Sequence, residues 1–573
     1  MARANDAVEA ALLEYADLIS IVTDDAYKAR AYEKAARAVG GYHADIGVMD
    51  PREILQIASV GKSIGEKIHE FLETGTIGVL DELRAQIPSG VREMIAIPGL
   101  GPKKALVLYR DLGIADVEGL RAAVDAGQLA ELKGFGAKTE ENIRRGIERM
   151  TRSGGRVLTS VAMDLVESFH ERLAGRDDVQ RFEVAGSLRR MVETIGDLDI
   201  LVASDDPVAV MDAFTGLATV ERVLAKGGAK SSILTGTGLQ VDLRVVPEEA
   251  WGAAMIYFTG SKARNIRIRE LAVRKGLKLN EYGLFRAKSG KLIVAETEEQ
   301  VYEQLGLPWI PPTLREDRGE VEAALEGTLP EVLTERQIRG DLHTHTNLTD
   351  GLATLGEMLA VASARRYAYY AVTDHAPNLW MQRMTDEKML AQRGELRSLQ
   401  DRYPKITLLH GTELNIDPEG NVDWGPQFLE GFDICVASVH SHFNQSKEEM
   451  TRRIVRAMEN PFVNIIGHPT GRKINQREPY DLDLDEVFAA AARTGTALEV
   501  NGYPDRLDLN DEHVLWARRH GVRFSVDTDS HATTHLDLMR YGVATAQRGW
   551  LTKDDVINAW PVSKLRAFLR KGR

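Results

Sequence analysis

The stretch "GDLHTHTNLTDG", residues 340–351, places two histidines and an aspartate within eight positions, at His343, His345 and Asp350. Side chains two residues apart in a β-strand point to the same face, so a strand here would present both imidazoles together. Two imidazoles with a nearby carboxylate are typical of half of a metal site. The residues that complete such a site should therefore lie further along the chain.

Further histidines and acids follow, each close to the end of an apolar segment. His375 ends "YYAVTDH", His440 ends "DICVASVH" and His468 ends "VNIIGH", with helical patterns such as "LGEMLAVASARR" between such segments. Repeated strand–helix units with polar residues at the strand ends predict a (β/α) barrel, with its site on the C-terminal face of the strands. The candidate metal ligands are His343, His345, Asp350, His375, Glu413, His440, His468, Asp529 and His531. His442 and Asp527 are assigned to the surroundings of the metals or to substrate contact.

The composition bounds the class of protein. A chain of 573 residues should form several domains, since single cores stop growing near ~250–300 residues. It contains no apolar run of the roughly 18 residues that a membrane span needs. The single cysteine excludes an intramolecular disulfide and favours a reducing cytoplasm. The net charge of −13 weakens a nucleic-acid hypothesis without excluding it, because phosphate contacts depend on local patches.

Glycine-rich turns recur in the first 150 residues. "SVGKSIGEKIHEF" (59–71), "IPGLGPKKALVLY" (97–109) and "LKGFGAKTEENIRRGI" (132–147) each join an apolar residue, through glycines, to a lysine-containing helix start. Backbone N–H groups at such a helix N-terminus favour a phosphate. We interpret the repeats as helix-hairpin-helix motifs that hold the DNA backbone; the alternative is that glycine turns simply join helices. The proposed contacts are Gly99, Gly101, Lys103, Lys104, Gly134, Gly136 and Lys138.

Lys67 lies one turn into the helix that follows the first glycine turn. Its amine, beside a bound phosphate, could attack the aldehyde of an abasic sugar as a Schiff-base nucleophile. The alternative is that Lys67 only contacts phosphate, and the residue type alone favours this simpler role.

A second group of acids lies between residues 182 and 246. Asp197 and Asp199, in "GDLDILV" (196–202), are two apart on a predicted strand, so both carboxylates face one side. Asp242 lies on another predicted strand, "GLQVDLRVV" (238–246). Three carboxylates on adjacent strands can hold two Mg²⁺ ions about 3.5–4 Å apart, which activate a hydroxyl and shield leaving phosphates. This pattern predicts a nucleotidyl transfer site.

The turn before these aspartates fits a triphosphate. Gly186 and Ser187 offer N–H groups and a hydroxyl, and Arg190 adds a bidentate donor. With "YFTGSKARN" (257–265) and "LNEYGLF" (279–285), residues 1–315 resemble the family X DNA polymerases, to which vertebrate polymerase beta belongs.

This resemblance implies roles for residues at the matching positions. The catalytic carboxylates of the polymerase palm, the domain that binds the metals, would bind Mg²⁺ or Mn²⁺. They are Asp197, Asp199 and Asp242. The residues expected to bind or sense the nucleotide are Gly186, Ser187, Arg190, Gly196, Tyr257, Phe258, Thr259, Gly260, Ser261, Asn265 and Arg269. Tyr282 would contact DNA, and Tyr32 and Lys67 match the tyrosine and the nucleophile of a lyase subdomain.

Three positions depart from the pattern of polymerase beta. Gln240 replaces an arginine near the third aspartate, which would alter how the primer hydroxyl is prepared. Ser63 replaces a second lyase lysine and Tyr27 a nearby histidine, which leaves lyase activity open.

The spacing of the nine C-terminal ligands resembles the polymerase-and-histidinol-phosphatase (PHP) family. That resemblance implies three metals, of Zn²⁺, Mn²⁺ or Fe type, and phosphoester hydrolysis. One metal would be bound by His343, His345, Glu413 and Asp529, a second by Glu413, His440 and His468, and a third by Asp350, His375 and His531. Beside a polymerase, the expected substrates are DNA 3′ ends: 3′-5′ exonuclease or phosphodiesterase activity, with AP endonuclease activity open.

The expected fold is thus a multidomain α/β protein. It comprises a lyase-like helical subdomain (1–80), a helix-hairpin-helix subdomain (81–150), a mixed α+β palm (151–250), a nucleotide-selecting subdomain (251–315), a linker (316–337) and a PHP barrel (338–573). The expected partners are gapped or primer-template DNA and dNTPs, for a cytoplasmic, nucleoid-associated monomer. Two alternatives stay open: a polymerase whose PHP domain is a brace or only a 3′-phosphatase, and a template-free nucleotidyltransferase. Metal content and template dependence would discriminate between them.

Overall fold

The computed structural model describes residues 4–22, 25–42, 46–57, 59–87, 89–95, 97, 100–129, 132, 135–136, 139–144, 146–147 and 155–571. The predicted DNA contacts Gly99, Gly134 and Lys138 lie outside the described residues, as does the side chain of Lys103. In the described ranges, we find no helix with the length and apolar character needed to cross a membrane.

The N-terminal region consists of helices joined by short turns. Apolar side chains at helical spacing, such as Leu12, Ile68 and Leu108, are fully buried in one shared core. Its helices include Ala4–Val22, Ala26–Gly40, Pro51–Ile54, Lys62–Thr74, Gly78–Gln86, Ser89–Ile95, Pro102–Leu112 and Val117–Asp125, and the described residues 139–144 are also helical.

A five-stranded mixed sheet forms the palm. The palm strands are β1 (Val157–Leu158), β2 (Arg181–Val184), β3 (Thr194–Ile195), β4 (Asp197–Ala203), β5 (Val220–Lys226), β6 (Lys230–Thr235) and β7 (Gln240–Val246). The sheet order is β2-β4-β7-β6-β5, with β4 and β7 parallel, and β1 pairs with β3 separately.

The two faces of this sheet carry different residues, because side chains alternate along each strand. Leu198 and Ile200 of β4 pack with helices Thr159–Leu173 and Pro207–Thr215 on one face. Leu201 packs on the other face against helix Trp251–Thr259. The aspartates of β4 and β7 share this second face.

A smaller subdomain follows the palm. Helices Lys262–Arg274 and Glu298–Gln304 pack around a core with the antiparallel strands β8 (Leu277–Asn280), β9 (Gly283–Arg286) and β10 (Leu292–Val294). The segment 316–337, for which the sequence predicts a linker, is folded onto this core. Its helix Glu320–Glu326 buries Val321 and Ala324 there. It connects the two halves of the chain as a packed element and not as a tether.

The C-terminal part is a parallel barrel whose seven strands follow one another in chain order. They are β11 (Gly340–Asp341), β12 (Tyr369–Val372), β13 (Thr407–Asn415), β14 (Ile434–Ser438), β15 (Ile465–Ile466), β16 (Ala497–Asn501) and β17 (Phe524–Asp527). A parallel bridge between Thr344 and Ser530 joins the first strand segment to the last and closes the barrel. The surrounding helices are Leu355–Ala364, Asp386–Leu399, Pro426–Leu429, Lys447–Glu459, Leu484–Thr494, Asp511–Arg519, Met539–Arg548 and Val562–Leu569.

Candidate active sites

The palm strands bring the three predicted aspartates together. In the parallel pair β4–β7, Asp199 lies opposite Asp242, and Asp197 lies opposite Gln240. Gly186, with a φ of 58°, lets the preceding turn approach, because a Cβ there would lie 2.4 Å from Asp199 Oδ2. The site therefore combines three carboxylates with a glycine turn in contact with one of them.

The environment distinguishes the carboxylates. Burial, together with the charges of Asp197 and Asp242, raises the pKa of Asp199 to about 6. Burial would also raise the pKa of Asp242, but hydrogen bonds from Lys230, Ser232 and Gln240 hold it below its usual value. Repulsion among clustered carboxylates is the condition that a bound divalent cation relieves.

Lys230 was missed by sequence reasoning. Its Nζ lies 2.6 Å from Asp242 Oδ2, and Gln240 Nε2 donates to Asp242 Oδ1 at 2.9 Å. Lys230 starts β6, which pairs antiparallel with β7, and nothing in its local sequence marks it. The carboxylate of Asp242 is thus held by the amide of Gln240, which replaces the arginine of polymerase beta, and by the ammonium of Lys230.

The predicted triphosphate ligand Arg190 is anchored by two residues of the following subdomain. Its Nε donates to Glu316 Oε1 at 2.9 Å, and its Nη1 donates to the Thr259 carbonyl oxygen at 2.6 Å. Among the residues that the structure describes, Nη2 has no hydrogen-bond partner. The neighbouring Arg189 is bound to Glu298 through both terminal nitrogens and has no such free group.

The predicted sugar-sensing turn lies beside this arginine. The rings of Tyr257 and Phe258 meet edge to face at 5.0 Å, and Gly260 has a φ of 73°. Asn265 Nδ2 donates to the Tyr257 carbonyl oxygen at 2.6 Å. The exposed Arg269 donates from Nε to the Asn265 carbonyl oxygen at 3.3 Å. These residues therefore contact one another, and Phe258 also meets the palm, where the Arg244 guanidinium of β7 lies 4.7 Å from its ring centroid.

Most of the predicted outer DNA contacts that the structure describes are exposed, and Lys104 is half-buried. Tyr282, between β8 and β9, is 61% exposed. Gly101 caps helix Pro102–Leu112 without a side-chain hydrogen bond. Pro102 has no N–H, and the Lys104 N–H donates to the Gly101 carbonyl oxygen at 3.0 Å. Lys104 Nζ lies 5.9 Å above the ring of Phe135, and Gly136 next to it is exposed.

Lys67 lies in an aromatic setting. Its Nζ is 5.7 Å from the ring centroid of Tyr15 and 5.8 Å from that of Tyr32, and 3.3 Å from Ser63 Oγ. The geometry fits both a phosphate contact and a lyase role.

In the barrel, the predicted ligands converge on Glu413 near the end of β13. Its Oε1 lies 3.1 Å from the Nε2 atoms of both His440 and His468. Its Oε2 lies 3.5 Å from His343 Nε2 and 3.6 Å from His345 Nε2. His375 Nδ1 lies closer still, 2.9 Å from Oε2. One carboxylate thus directs one oxygen toward two imidazoles and the other toward three, which is the arrangement of a bridging metal ligand.

A third group lies beside His345. Asp350 Oδ2 is 3.3 Å from His375 Nε2 and 3.4 Å from His531 Nε2. Asp529 Oδ1 lies 3.2 Å from His345 Nε2. The compact ligand groups overlap the predicted ones without being identical to them. They are His345, Asp350, His375 and His531; His343, His345 and Asp529; and His375, Glu413 and His440.

The donor set fits metal ions. The buried His343 Nε2 and both ring nitrogens of His345 have no hydrogen-bond partner in the described part of the chain. Buried polar atoms are rarely left unpaired unless an ion or water completes them. Burial opposes ionisation of Glu413, but the surrounding imidazoles of His440 and His375 hold its pKa well below the usual value. Imidazole nitrogens and ionised carboxylates together suit Zn²⁺, Mn²⁺ or Fe.

Groups behind the ligands fix their ring orientation, and sequence reasoning missed them. His343 Nδ1 is 2.7 Å from Glu499 Oε1, and His440 Nδ1 is 2.7 Å from Asn415 Oδ1. These partners leave Nε2 of each ring to face Glu413. Glu499 lies within β16 and Asn415 ends β13, and nothing in their local sequence marks either as the partner of a ligand.

The two residues assigned from sequence to the surroundings of the metals, Asp527 and His442, differ in burial. Asp527 is fully buried and accepts a hydrogen bond from the Leu342 N–H at 2.9 Å, so it supports the site from below and does not reach a substrate. His442 is exposed beside the site. Arg506, which sequence reasoning missed, places Nε 3.6 Å from Asp529 Oδ2 and leaves a buried Nη1 without a partner in the described chain.

Family models match four segments of the chain. They are a helix-hairpin-helix domain at residues 3–77, a SAM-like helix-hairpin-helix tandem at 91–149, a DNA polymerase beta thumb at 254–316 and a PHP domain at 341–502. These matches confirm the predicted helix-hairpin-helix region and the predicted PHP barrel.

Similar proteins cover one or both halves. DNA polymerase lambda of Rattus norvegicus is 27% identical over 52% of this chain and 53% of its own length. A probable phosphatase of Thermoanaerobacter is 29% identical over 40% of this chain and 94% of its own length. The DNA polymerase/3'-5' exonuclease PolX of Bacillus subtilis is 34% identical over 96% of both chains. Because this similarity extends across both halves, the protein belongs to the family X DNA polymerases that carry a C-terminal PHP domain.

Proposed function

We propose that the palm adds deoxynucleotides to primer 3′ ends at short gaps in DNA, as in repair. The register that sets Asp199 opposite Asp242 in β4 and β7 carries this proposal. Two Mg²⁺ or Mn²⁺ ions held by Asp197, Asp199 and Asp242 would supply activation of the primer hydroxyl and charge neutralisation of the triphosphate.

The remaining residues of this site position the reactants. Ser187 would hold phosphate oxygens, as would Nη2 of Arg190, which has no partner in the described part of the chain. The turn at Tyr257 would crowd a ribose 2′-hydroxyl and so favour deoxyribose. Asn265 would face the nucleotide and Arg269 the template. Positioning of this kind supplies much of the rate enhancement of phosphoryl transfer.

The N-terminal region would hold the DNA on either side of the gap through its glycine turns. Lys67 is proposed to contact phosphate there, and a lyase step through its amine stays a prediction. A monomeric state and a cytoplasmic, nucleoid-associated location also stay predictions.

We propose that the barrel hydrolyses phosphoesters at DNA 3′ ends. The two-sided arrangement of imidazoles around Glu413 carries this proposal. Three metals held by the nine ligands would supply a hydroxide nucleophile at neutral pH. Arg506 would direct its unpartnered Nη1 to the phosphate, and Glu499 would keep His343 oriented. The unpaired ring nitrogens argue against a barrel that is only a brace, and the similarity to a probable phosphatase keeps a 3′-phosphatase as the second candidate.

Template-directed incorporation tests the polymerase proposal. On a one-nucleotide gap with Mg²⁺, we expect the protein to add only the dNMP complementary to the template base. Removing one metal-binding carboxylate weakens the binding and positioning of the ions, so Asp242→Ala should reduce incorporation by about a hundredfold or more. Incorporation that ignores the template base would instead favour a template-free nucleotidyltransferase.

A further inference from the structure

Arg548, at the end of helix Met539–Arg548 in the barrel, reaches the nucleotide turn of the palm. Its Nη1 donates to the Arg190 carbonyl oxygen at 2.8 Å and to Glu316 Oε1 at 2.8 Å. Glu316 Oε1 is the same atom that accepts from Arg190 Nε at 2.9 Å. One barrel residue therefore contacts both the backbone and the side-chain anchor of the arginine expected to bind the triphosphate.

The guanidinium of Arg548 is itself fixed from the opposite side. Its Nη2 lies 2.8 Å from Asp511 Oδ2, and Arg318 Nη1 donates to the same oxygen at 2.9 Å. Asp511 begins helix Asp511–Arg519, where the helix N-terminus favours a negative charge. The side chain of Arg548 is only 7% exposed. Two acids thus hold its fork in one orientation, one on each terminal nitrogen.

Arg190 is left half-anchored by these contacts. Glu316 and the Thr259 carbonyl occupy Nε and Nη1, while Nη2 has no partner among the described residues. A long arginine side chain loses rotamer freedom when it binds a phosphate, and an anchor that restricts it beforehand reduces this cost. The neighbouring Arg189 is bound to Glu298 through both terminal nitrogens.

We propose that Arg548 of the barrel, acting through Glu316, is a positioning residue that prepares Arg190 for the incoming triphosphate. The inference rests on the proposed role of Arg190 in nucleotide binding. It makes nucleotide affinity in the palm depend on a side chain more than 350 residues away in sequence, in the domain that carries the other active site.

Steady-state single-nucleotide incorporation on gapped DNA tests this proposal with the full chain. All proteins carry His440→Ala, so that 3′ hydrolysis does not remove the primer. Arg548→Ala and Glu316→Gln should each raise the KM for dNTP about three- to tenfold with little change in kcat, because they weaken binding before chemistry. Arg548→Lys, which keeps the charge but loses the fork, should fall between wild type and Arg548→Ala.

The matched control is Arg540, a barrel arginine on the same helix. It approaches the palm at Glu167, with Nη1 3.8 Å from Oε1, away from the nucleotide turn. Arg540→Ala should leave the KM unchanged. Thermal unfolding of every variant identifies any that are not folded. If Arg548→Ala proves unstable, the more conservative Glu316→Gln tests the proposal in its place.

The possible results distinguish the positioning role of Arg548 from the proposed triphosphate binding by Arg190. If Arg190→Ala raises the KM but neither Arg548→Ala nor Glu316→Gln does, the positioning role is wrong while the role of Arg190 stands. A lower KM in Glu316→Gln would also overturn it, because Glu316 would then compete with the triphosphate. If Arg190→Ala itself leaves the KM unchanged, both proposals fail.

Discussion

Glu499 illustrates what a single residue contributes to the barrel site. It holds His343 Nδ1 at 2.7 Å and leaves Nε2 directed toward Glu413. The nine ligand candidates could be identified from sequence, because each is a residue type that binds metals and lies near the end of an apolar segment. Glu499 and Arg506 could not, because their roles depend on which side chains the closed barrel places next to them.

We therefore predict that Glu499→Gln weakens metal binding by the barrel about 10–100-fold, the usual effect of removing a partner that orients a histidine ligand. The measurement is the metal retained by purified protein during titration with a chelator. Glu486→Gln, an exposed change on the same barrel, is the matched control. Equal retention by both variants would mean that Glu499 does not orient the ligand.

At the scale of elements, Glu298 joins the palm turn to the subdomain that follows it. Its carboxylate accepts from Arg189 at 2.8 and 2.9 Å and from the fully buried Arg315 at 2.6 and 3.2 Å. Burial would raise its pKa, but the two arginines hold it below the usual value. Its stabilisation is therefore present above the unfolded pKa of 4.5 and is lost as the pH falls toward the folded pKa.

Glu298→Ala should accordingly lower the free energy of unfolding by about 3–5 kcal/mol at neutral pH, because it leaves buried guanidinium groups unpaired. Urea unfolding of the full-length protein measures this change, as the difference in unfolding free energy between wild type and variant for the transition of residues 155–337. Glu299→Ala, at the exposed neighbouring position, should have little effect. A similarly small effect of Glu298→Ala would mean that its contacts with Arg189 and Arg315 do not stabilise the fold.

Sequence patterns predicted the order of the elements better than their packing. Strand–helix alternation indicated the barrel, and the spacing of Asp197, Asp199 and Asp242 indicated a shared carboxylate face. The sequence predicted a linker at residues 316–337, yet Val321 and Ala324 within it are buried. A charged segment can fold when a few of its apolar residues are buried in a core and its charges form ion pairs, as Arg318 does with Asp511. Neither the core nor Asp511 lies near the segment in sequence, so the local pattern could not indicate them.

In the whole molecule, two centres with different ligands lie in separate domains. Three aspartates on a mixed sheet suit Mg²⁺ and nucleotidyl transfer, whereas the histidine-rich barrel suits Zn²⁺, Mn²⁺ or Fe and hydrolysis. The palm and barrel meet through charged contacts, including Arg472 with Glu193 at 2.6 Å. We propose that one chain both extends and trims DNA 3′ ends, with centres that can be silenced separately.

The most direct test removes the palm activity and looks for trimming. Asp242→Ala protein is given a 5′-labelled primer on a longer template, with Mn²⁺ and without dNTP. We expect that the primer shortens from its 3′ end, and that adding His440→Ala stops the shortening. A primer that stays intact while the barrel holds metal would contradict a 3′ nuclease.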